Sequence, residues 1–289
     1  MVQSASEGGA LKKQVRKSQS GATASAAWTK RLASRPPRIL RGKPHSLSKK
    51  PGMKRVTIEN VTVSPKQARQ ALDSQGVIVI RQALPKPILR DLHTFLQSRP
   101  DLDERGQYRL AVRLDEQLRE IPYYLADQSW FCELFDGEKP YLHMPPMARC
   151  ILPGDGSGAV PAHQDLPYNR HMEKFSTVWV PLVKIDKHCG GMAVYPRTHN
   201  SGEFSRGADG PRWLGAVDAS SLHRVELQPL GPGDLVVLHS LVVHESMPNR
   251  STRPRISFDY RFFGRNVRSS KHCLDLKTRK VIEPERAIA

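Results

Sequence analysis

The spacing of apolar residues changes along this chain. Between residues 85 and 98, Ile88, Leu89, Leu92, Phe95 and Leu96 recur at intervals of three and four, which predicts an amphipathic helix. Just before it, Val77-Ile78-Val79-Ile80 is short, continuous and β-branched, the pattern of a buried strand. Upstream again, residues 64–74 suit a helix capped by Ser64, with Pro65 in its first turn. From about residue 147 the chain turns to short β-rich segments, at 148–152, 176–183, 192–195, 225–227, 235–239 and 256–262. Turn signals separate them, among them Pro153-Gly154-Asp155-Gly156, Gly190-Gly191, Gly231-Pro232-Gly233-Asp234 and Pro248-Asn249. Many short strands punctuated in this way predict a mainly β domain with flanking helices and a jelly-roll core.

No such pattern runs through the first 55 residues, a mixture of Ser, Ala, Gly, Pro, Lys and Arg with Trp28 as its one aromatic residue. This composition buries too little surface to offset the entropy of ordering, so residues 1–55 are expected to be a disordered basic extension and residues 56–289 the folded domain. Charge sharpens the division. Of the formal net charge of +17, residues 1–57 contribute +13, from 14 Lys and Arg against Glu7, and the rest of the chain only +4. Basicity therefore bears on targeting or tethering more than on the reaction. Three expectations remain open for the extension: an inert solvated tail, an organellar transit peptide, or a non-specific polyanion binder.

The longest apolar runs fall far short of the roughly 20 residues needed to cross a bilayer, so no membrane span is expected. Cys132, Cys150, Cys189 and Cys273 show neither CxxC spacing nor zinc-finger register and read as reduced thiols. A cytoplasmic location follows, with mitochondria or another organelle as the alternative if residues 1–55 include a transit peptide.

The chemistry begins at His163-Gln164-Asp165. In extended chain, residues two apart project to one face, so an imidazole and a carboxylate can meet one metal. The segment 233–244 offers two further imidazoles, His239 and His244; five residues apart, they face opposite ways on one strand, and His244 is the preferred ligand. Two imidazoles and one carboxylate on an octahedral ion leave three positions open, the facial triad of non-haem Fe(II) oxygenases. Eleven residues after His244 come Arg255 and, on the same strand face, Ser257, a guanidinium and a hydroxyl suited to binding a carboxylate.

Taken in order, Pro161-Ala162-His163-Gln164-Asp165, the stretch Gly190-Gly191 through Pro196-Arg197-Thr198-His199, and Gly233-Asp234 through His244, Ser246, Asn249 and Ser251 to Arg255 resemble the phytanoyl-CoA dioxygenase family. The resemblance covers roughly residues 64 to 263. It implies a double-stranded β-helix, a cupin-like jelly roll, with Fe(II) held by His163, Asp165 and His244. It further implies that Arg255, assisted by Ser257, anchors the co-substrate 2-oxoglutarate, and that Trp179 lines its pocket. The implied reaction consumes dioxygen and 2-oxoglutarate, releases succinate and carbon dioxide, and hydroxylates an unactivated C–H bond of a small metabolite or acyl thioester, with ascorbate as a supporting reductant. Asp165 disfavours halogenation, because related halogenases carry a small residue at this place. The competing expectation is a non-catalytic regulator or nucleic-acid-associated protein on the same fold, acting through its basic tail; the complete ligand set weighs against it.

Other polar residues read more plainly. Gln164 is expected to face away from the metal, in packing or backbone support, and Asn249 to brace a turn. His199 closes a Pro-x-Thr-His turn in which Arg197 stands where the family usually has Gly, a departure that bears on the loop and not on the metal. His143, His171 and His188 have no partner spacing. Tyr168, Asn169 and Arg170 follow the ligand motif and are candidates to border substrate. Arg170, Arg197 and Arg253 are candidates for contact with an anionic substrate group.

Overall fold

The computed structural model describes residues 64–97, 107, 116–154, 159–204 and 216–284; the extension expected at 1–55 lies outside them. Helix α1, Pro65–Gln75, starts where Ser64 accepts a hydrogen bond from the Gln67 N–H at 3.2 Å and ends at Gly76, whose φ of 74° is natural to glycine. Strand β1, Val77–Ile80, follows directly, and α2, Lys86–Gln97, buries Leu89, Leu92 and Leu96. A 3-10 turn, Glu116–Arg119, leads into α3, Glu120–Ala126, and α4, Ser129–Glu133. These last helices carry no clear apolar period and escape a reading by periodicity.

Eleven strands follow: β2 Tyr141–His143, β3 Met147–Ile151, β4 Val160–His163, β5 Ser176–Pro181, β6 Met192–Tyr195, β7 Val225–Leu227, β8 Leu235–His239, β9 Val243–Ser246, β10 Arg255–Phe263, β11 Cys273–Asp275 and β12 Lys280–Ile282. They form two antiparallel sheets. The larger runs β1-β8-β5-β10-β2-β11-β12, with β3 also paired to β10; the smaller runs β4-β9-β6-β7. This is the double-stranded β-helix expected from the sequence. The strands at 141–143, 160–163, 243–246, 273–275 and 280–282 are additions to that expectation, each only three or four residues long. So short a run holds at most two alternations, too few to mark a strand before its neighbours are known.

Strand β10 shows how the larger sheet is built. Its even-numbered residues Phe258, Tyr260 and Phe262 are fully buried on one face, where Phe131 of α4 stands edge-on to Phe262 with ring centroids 4.9 Å apart. Its odd-numbered residues Arg255, Ser257, Asp259 and Arg261 project from the opposite face. One strand thus serves both the aromatic core and a polar cleft between the sheets.

The turn after β6 settles the question posed by Arg197. Its φ is 72° and ψ −5°, a left-handed conformation, and its N–H donates to the Gln75 carbonyl at 2.8 Å, tying the turn to the end of α1. A side chain in this conformation costs about 1–2 kcal/mol that glycine does not incur. Arg197→Gly is expected to stabilise the protein by about 1 kcal/mol, raising the midpoint of thermal unfolding by about 2–4 °C. A lowered midpoint in calorimetry would contradict this account of the turn.

Candidate metal centre

His163 is the last residue of β4, and the antiparallel register sets it directly opposite His244 of β9. The ring centroids are 4.3 Å apart. Each ring places Nδ1 against the carbonyl two residues earlier: Pro161 at 2.8 Å for His163 and Val242 at 3.0 Å for His244. A carbonyl only accepts, so Nδ1 carries the hydrogen in both rings and Nε2 keeps its lone pair for a metal. Burial, and then the neighbouring His244, pushes the pKa of His163 down to about 3, which holds it neutral at physiological pH.

Asp165 joins them by a different route from the one expected. It does not share a strand face with His163: the chain leaves β4 at His163, and Asp165 adopts helical backbone, φ −75° and ψ −31°, at the head of a 3-10 turn, Leu166–Tyr168. That turn is pinned by the Leu166 N–H donating to the Ser240 carbonyl at 3.0 Å and by the Asn169 amide donating to the Asp165 carbonyl at 2.9 Å. Gln164, only 1% exposed, points away from the ligands. Its amide donates to Gly202 at 2.8 Å and Leu241 at 2.7 Å and accepts from the Phe204 N–H at 2.9 Å, the backbone support expected of it.

One donor atom from each of His163, Asp165 and His244 lies within 4.8 Å of the others, and this is the one such cluster of three among the described residues. Thr177 of β5 donates to Asp165 Oδ2 at 2.5 Å, while Oδ1 faces His163 Nε2 at 3.9 Å and Arg261 at 3.6 Å. Burial would raise the Asp165 pKa; Arg261, His244, His163 and the Thr177 hydrogen bond outweigh it and hold the carboxyl below the usual carboxylate range. The carboxylate is therefore ionised and the His163 imidazole neutral, the protonation states that metal ligation requires.

Arg255 opens β10 with 3% of its surface exposed. Its guanidinium donates to the Met247 carbonyl at 2.8 Å, the Gly191 carbonyl at 3.2 Å and the Ser246 hydroxyl at 2.5 Å, all neutral acceptors, and its Nε is buried without a partner. Burial lowers its pKa to about 10, so it remains a cation. Glycine makes this cradle possible: a Cβ on Gly190 would lie 2.2 Å from the Pro248 carbonyl oxygen, so only glycine lets the two loops close over the guanidinium. Ser257 lies one pleat along on the same face, opposite Pro181 of β5. Trp179, 5% exposed, packs against Val77, Val79 and Val236 and also borders the cleft, so it belongs to the core and to the site wall together.

The cleft encloses about 520 Å³, counting its open mouth, and is also lined by Arg149, Thr177, Asp259 and Arg261, which were not singled out in the sequence. The signal for the last two was present in the strict alternation of polar and apolar residues from Arg255 to Phe262. None was available for Arg149, which comes beside Ser257 only through the β3–β10 register.

Several candidates lie elsewhere. His199 binds the Asp73 carbonyl at 3.0 Å and packs on His239, away from the triad. His239 accepts from the Leu241 N–H at 3.1 Å, and Asn249 braces its turn by donating to Ile151 and Arg253. Arg170 pairs with Glu203 and Arg253 with Asp186, so the expected contacts with an anionic substrate are not placed at the cleft by these two or by Arg197. Tyr168 stands edge-on to His163 with centroids 5.8 Å apart and is 42% exposed. No helix among the described residues is long and apolar enough to cross a membrane.

Comparison with known proteins agrees with this geometry. Residues 137–257 match the phytanoyl-CoA dioxygenase (PhyH) family model. A stretch of 112 residues, 35% of this chain, is 31% identical to 1-deoxypentalenic acid 11-beta-hydroxylase of Streptomyces exfoliatus. The match spans 40% of that relative's length. Among solved structures, the epimerase SnoN in complex with Fe3+, alpha ketoglutarate and nogalamycin RO superposes with a TM-score of 0.58 at 15% identity, covering 70% of this chain and 84% of SnoN. EvdO2 of Micromonospora carbonacea var. aurantiaca, complexed with 2-oxoglutarate, gives 0.50 at 18% identity, covering 79% and 98%. These structural likenesses establish the fold.

Thr177→Val removes the hydrogen bond that orients Asp165. Loss of such a supporting contact typically costs about 10–100-fold in metal affinity, so Co(II) binding, followed by competition with a chromophoric chelator, is expected to weaken by at least about tenfold. Unchanged affinity would mean that Thr177 does not position the carboxylate.

Proposed function

We propose that this chain, whose residues 137–257 belong to the phytanoyl-CoA dioxygenase family, is a non-haem Fe(II)- and 2-oxoglutarate-dependent dioxygenase that hydroxylates a C–H bond of a small molecule. The observation that carries the reading is the conjunction of two imidazoles, each with Nδ1 turned to a backbone carbonyl, and an ionised carboxylate with a buried, carboxylate-free guanidinium in the same cleft. The donor set, two nitrogens and one oxygen with open positions, fits Fe(II). The orphaned Nε of Arg255 fits a ligand that supplies an acceptor there.

In this reading His163, Asp165 and His244 hold the iron, and the carbonyls of Pro161 and Val242 keep Nε2 of each ring directed at it. Arg255 binds the distal carboxylate of 2-oxoglutarate through a charge-assisted bond, and the Ser257 hydroxyl stands beside it on the same strand face. Thr177 occupies Asp165 Oδ2 and leaves Oδ1 as the ligating atom. Trp179 and Leu238 give the cleft apolar walls that keep water from the reacting centre. The bound iron, with 2-oxoglutarate and dioxygen, supplies an oxidant able to hydroxylate an unactivated C–H bond while 2-oxoglutarate becomes succinate and carbon dioxide. The substrate class is a small metabolite or acyl thioester; the hydroxylase relative of Streptomyces exfoliatus is named for an acid. Residues 1–55 are read as a basic extension outside the chemistry, whether inert, a transit peptide or a polyanion tether.

With Fe(II), ascorbate and 2-oxoglutarate, the purified protein is expected to release succinate, and a metabolite extract containing substrate should raise that rate. His163→Ala should abolish it; turnover that persists without metal would refute the assignment. Arg255→Gln separates the two halves of the site. It is expected to raise the dissociation constant for 2-oxoglutarate by at least about tenfold, consistent with about 1.5–3 kcal/mol for a hydrogen bond to a charged group, while Co(II) binding stays unchanged.

A further inference from the structure

Strand β10 lays Arg255, Ser257, Asp259 and Arg261 along the cleft in that order. The antiparallel register sets a side chain of a neighbouring strand beside three of them. Thr177 of β5 stands beside Arg261 and Trp179 beside Asp259, while Arg149 of β3 stands beside Ser257. Thr177 holds Asp165, so the Arg261 level belongs to the metal ligands and the Arg255 level to the distal carboxylate of 2-oxoglutarate. Arg149 enters between them, two residues or about 7 Å of extended chain from Arg255.

The charge of Arg149 is felt in both directions. Burial is the first cause that lowers the pKa of His163 and of Arg255, and the Arg149 cation is a further cause at each. This side chain therefore stands within electrostatic reach of a metal ligand and of the 2-oxoglutarate anchor together. Among the described residues, Asp259 is the one acid at ion-pair distance from it. Nε of Arg149 faces Asp259 Oδ2 at 3.6 Å, too far for a hydrogen bond. The pair is half enclosed, with 18% and 16% of the two side chains exposed.

A 2-oxo acid held at a metal sets a demand that Arg255 does not meet. The carboxylate that joins the metal gives it one oxygen and keeps a second in a secluded cleft, where an acceptor without a donor is costly. The cations lining the cleft are Arg149, Arg255 and Arg261. Arg255 serves the distal end, and Arg261 has its Nη2 3.6 Å from Asp165 Oδ1. The Thr177 hydroxyl is committed to Asp165 Oδ2. Arg149 is the cation left facing the space between triad and anchor.

We propose that Arg149 is a second anchor for 2-oxoglutarate: its Nη groups donate to the metal-bound carboxylate, at the oxygen the metal does not use, while Asp259 steers the Nε edge. The proposal rests on the dioxygenase reading and adds a positioning residue to it. A two-point clamp results, with a guanidinium at each end of the dianion. Arg255 fixes where the co-substrate ends, and Arg149 fixes how its 2-oxo acid group is turned at the metal.

The test is anaerobic titration of the full chain, loaded with Fe(II), with 2-oxoglutarate and with 2-oxopentanoate, which keeps the 2-oxo acid group and has a methyl in place of the distal carboxylate. Arg149→Met is expected to raise both dissociation constants by at least about tenfold, through loss of a charge-assisted hydrogen bond. Arg255→Gln should raise that of 2-oxoglutarate alone. At saturating 2-oxoglutarate, the visible charge-transfer band of the Fe(II) complex should move in Arg149→Met and stay in place in Arg255→Gln. Where 2-oxopentanoate binds too weakly to measure, this band decides. Arg149→Met combined with Asp259→Asn leaves no acid without its cation and should reproduce the loss, so a folding defect in the single variant does not obscure the result. Unchanged affinity for 2-oxoglutarate, an unmoved band, a loss that 2-oxopentanoate does not share, or an equal loss of Co(II) binding would overturn the second anchor. Failure of the unsubstituted Fe(II) protein to bind 2-oxoglutarate overturns the dioxygenase reading and this proposal with it, whereas binding that Arg149→Met leaves unchanged overturns this proposal alone.

Discussion

The register between β4 and β9 is the constraint on which the centre of this protein depends. It sets His163 opposite His244, and because strand side chains alternate, a slip of one residue would turn one imidazole out of the cleft. The pairing is irregular between Val160 and His163, so regular ladder bonds alone do not hold it. Side chains around it do. Gln164 ties the chain after His163 to Leu241 and to the loop at 202–204, and the Thr198 hydroxyl donates to the Tyr195 carbonyl at 2.7 Å while its oxygen accepts from the Val243 N–H at 2.8 Å. Each of these polar groups is buried and satisfied, and losing one would leave its partner unpaired at a cost of about 1–3 kcal/mol.

The second organising feature is the division of labour across β10. Phe258, Tyr260 and Phe262 are buried on one face, stacked along the strand and joined to Phe131 and Phe135 through Phe262, and this aromatic packing fixes the strand's position. The opposite face then holds Arg255, Ser257, Asp259 and Arg261 at set intervals along the cleft. Charged side chains in such surroundings incur a desolvation penalty of several kcal/mol each. They are retained where a ligand of opposite charge or a metal completes them. Arg255 fits this description closely, since its buried guanidinium meets only neutral acceptors among the described residues.

Flanking loops complete the arrangement through backbone geometry. The approach of Gly190 and Gly191 to Met247 and Pro248 brings two carbonyls to Arg255, and the 3-10 turn after β4 swings Asp165 back toward the imidazoles. The cleft is thereby framed by elements distant in sequence.

Much of this was legible in the residues alone. The cap at Ser64, the buried strand 77–80, the helix at 86–97 and the jelly-roll class follow from short-range spacing, because a helix or strand declares its period within a few residues. His163, Asp165, His244 and Arg255 could be named from their order and chemistry. What the chain's pattern could not show is how Asp165 reaches the imidazoles, that Thr177 secures it, or that Arg149 and Arg261 line the cleft while Arg170 and Arg253 are paired outside it. Those outcomes depend on which strands pair and in what register, and the partners lie tens of residues apart. Local periodicity records which face a side chain takes; only the closing of the two sheets decides what it faces.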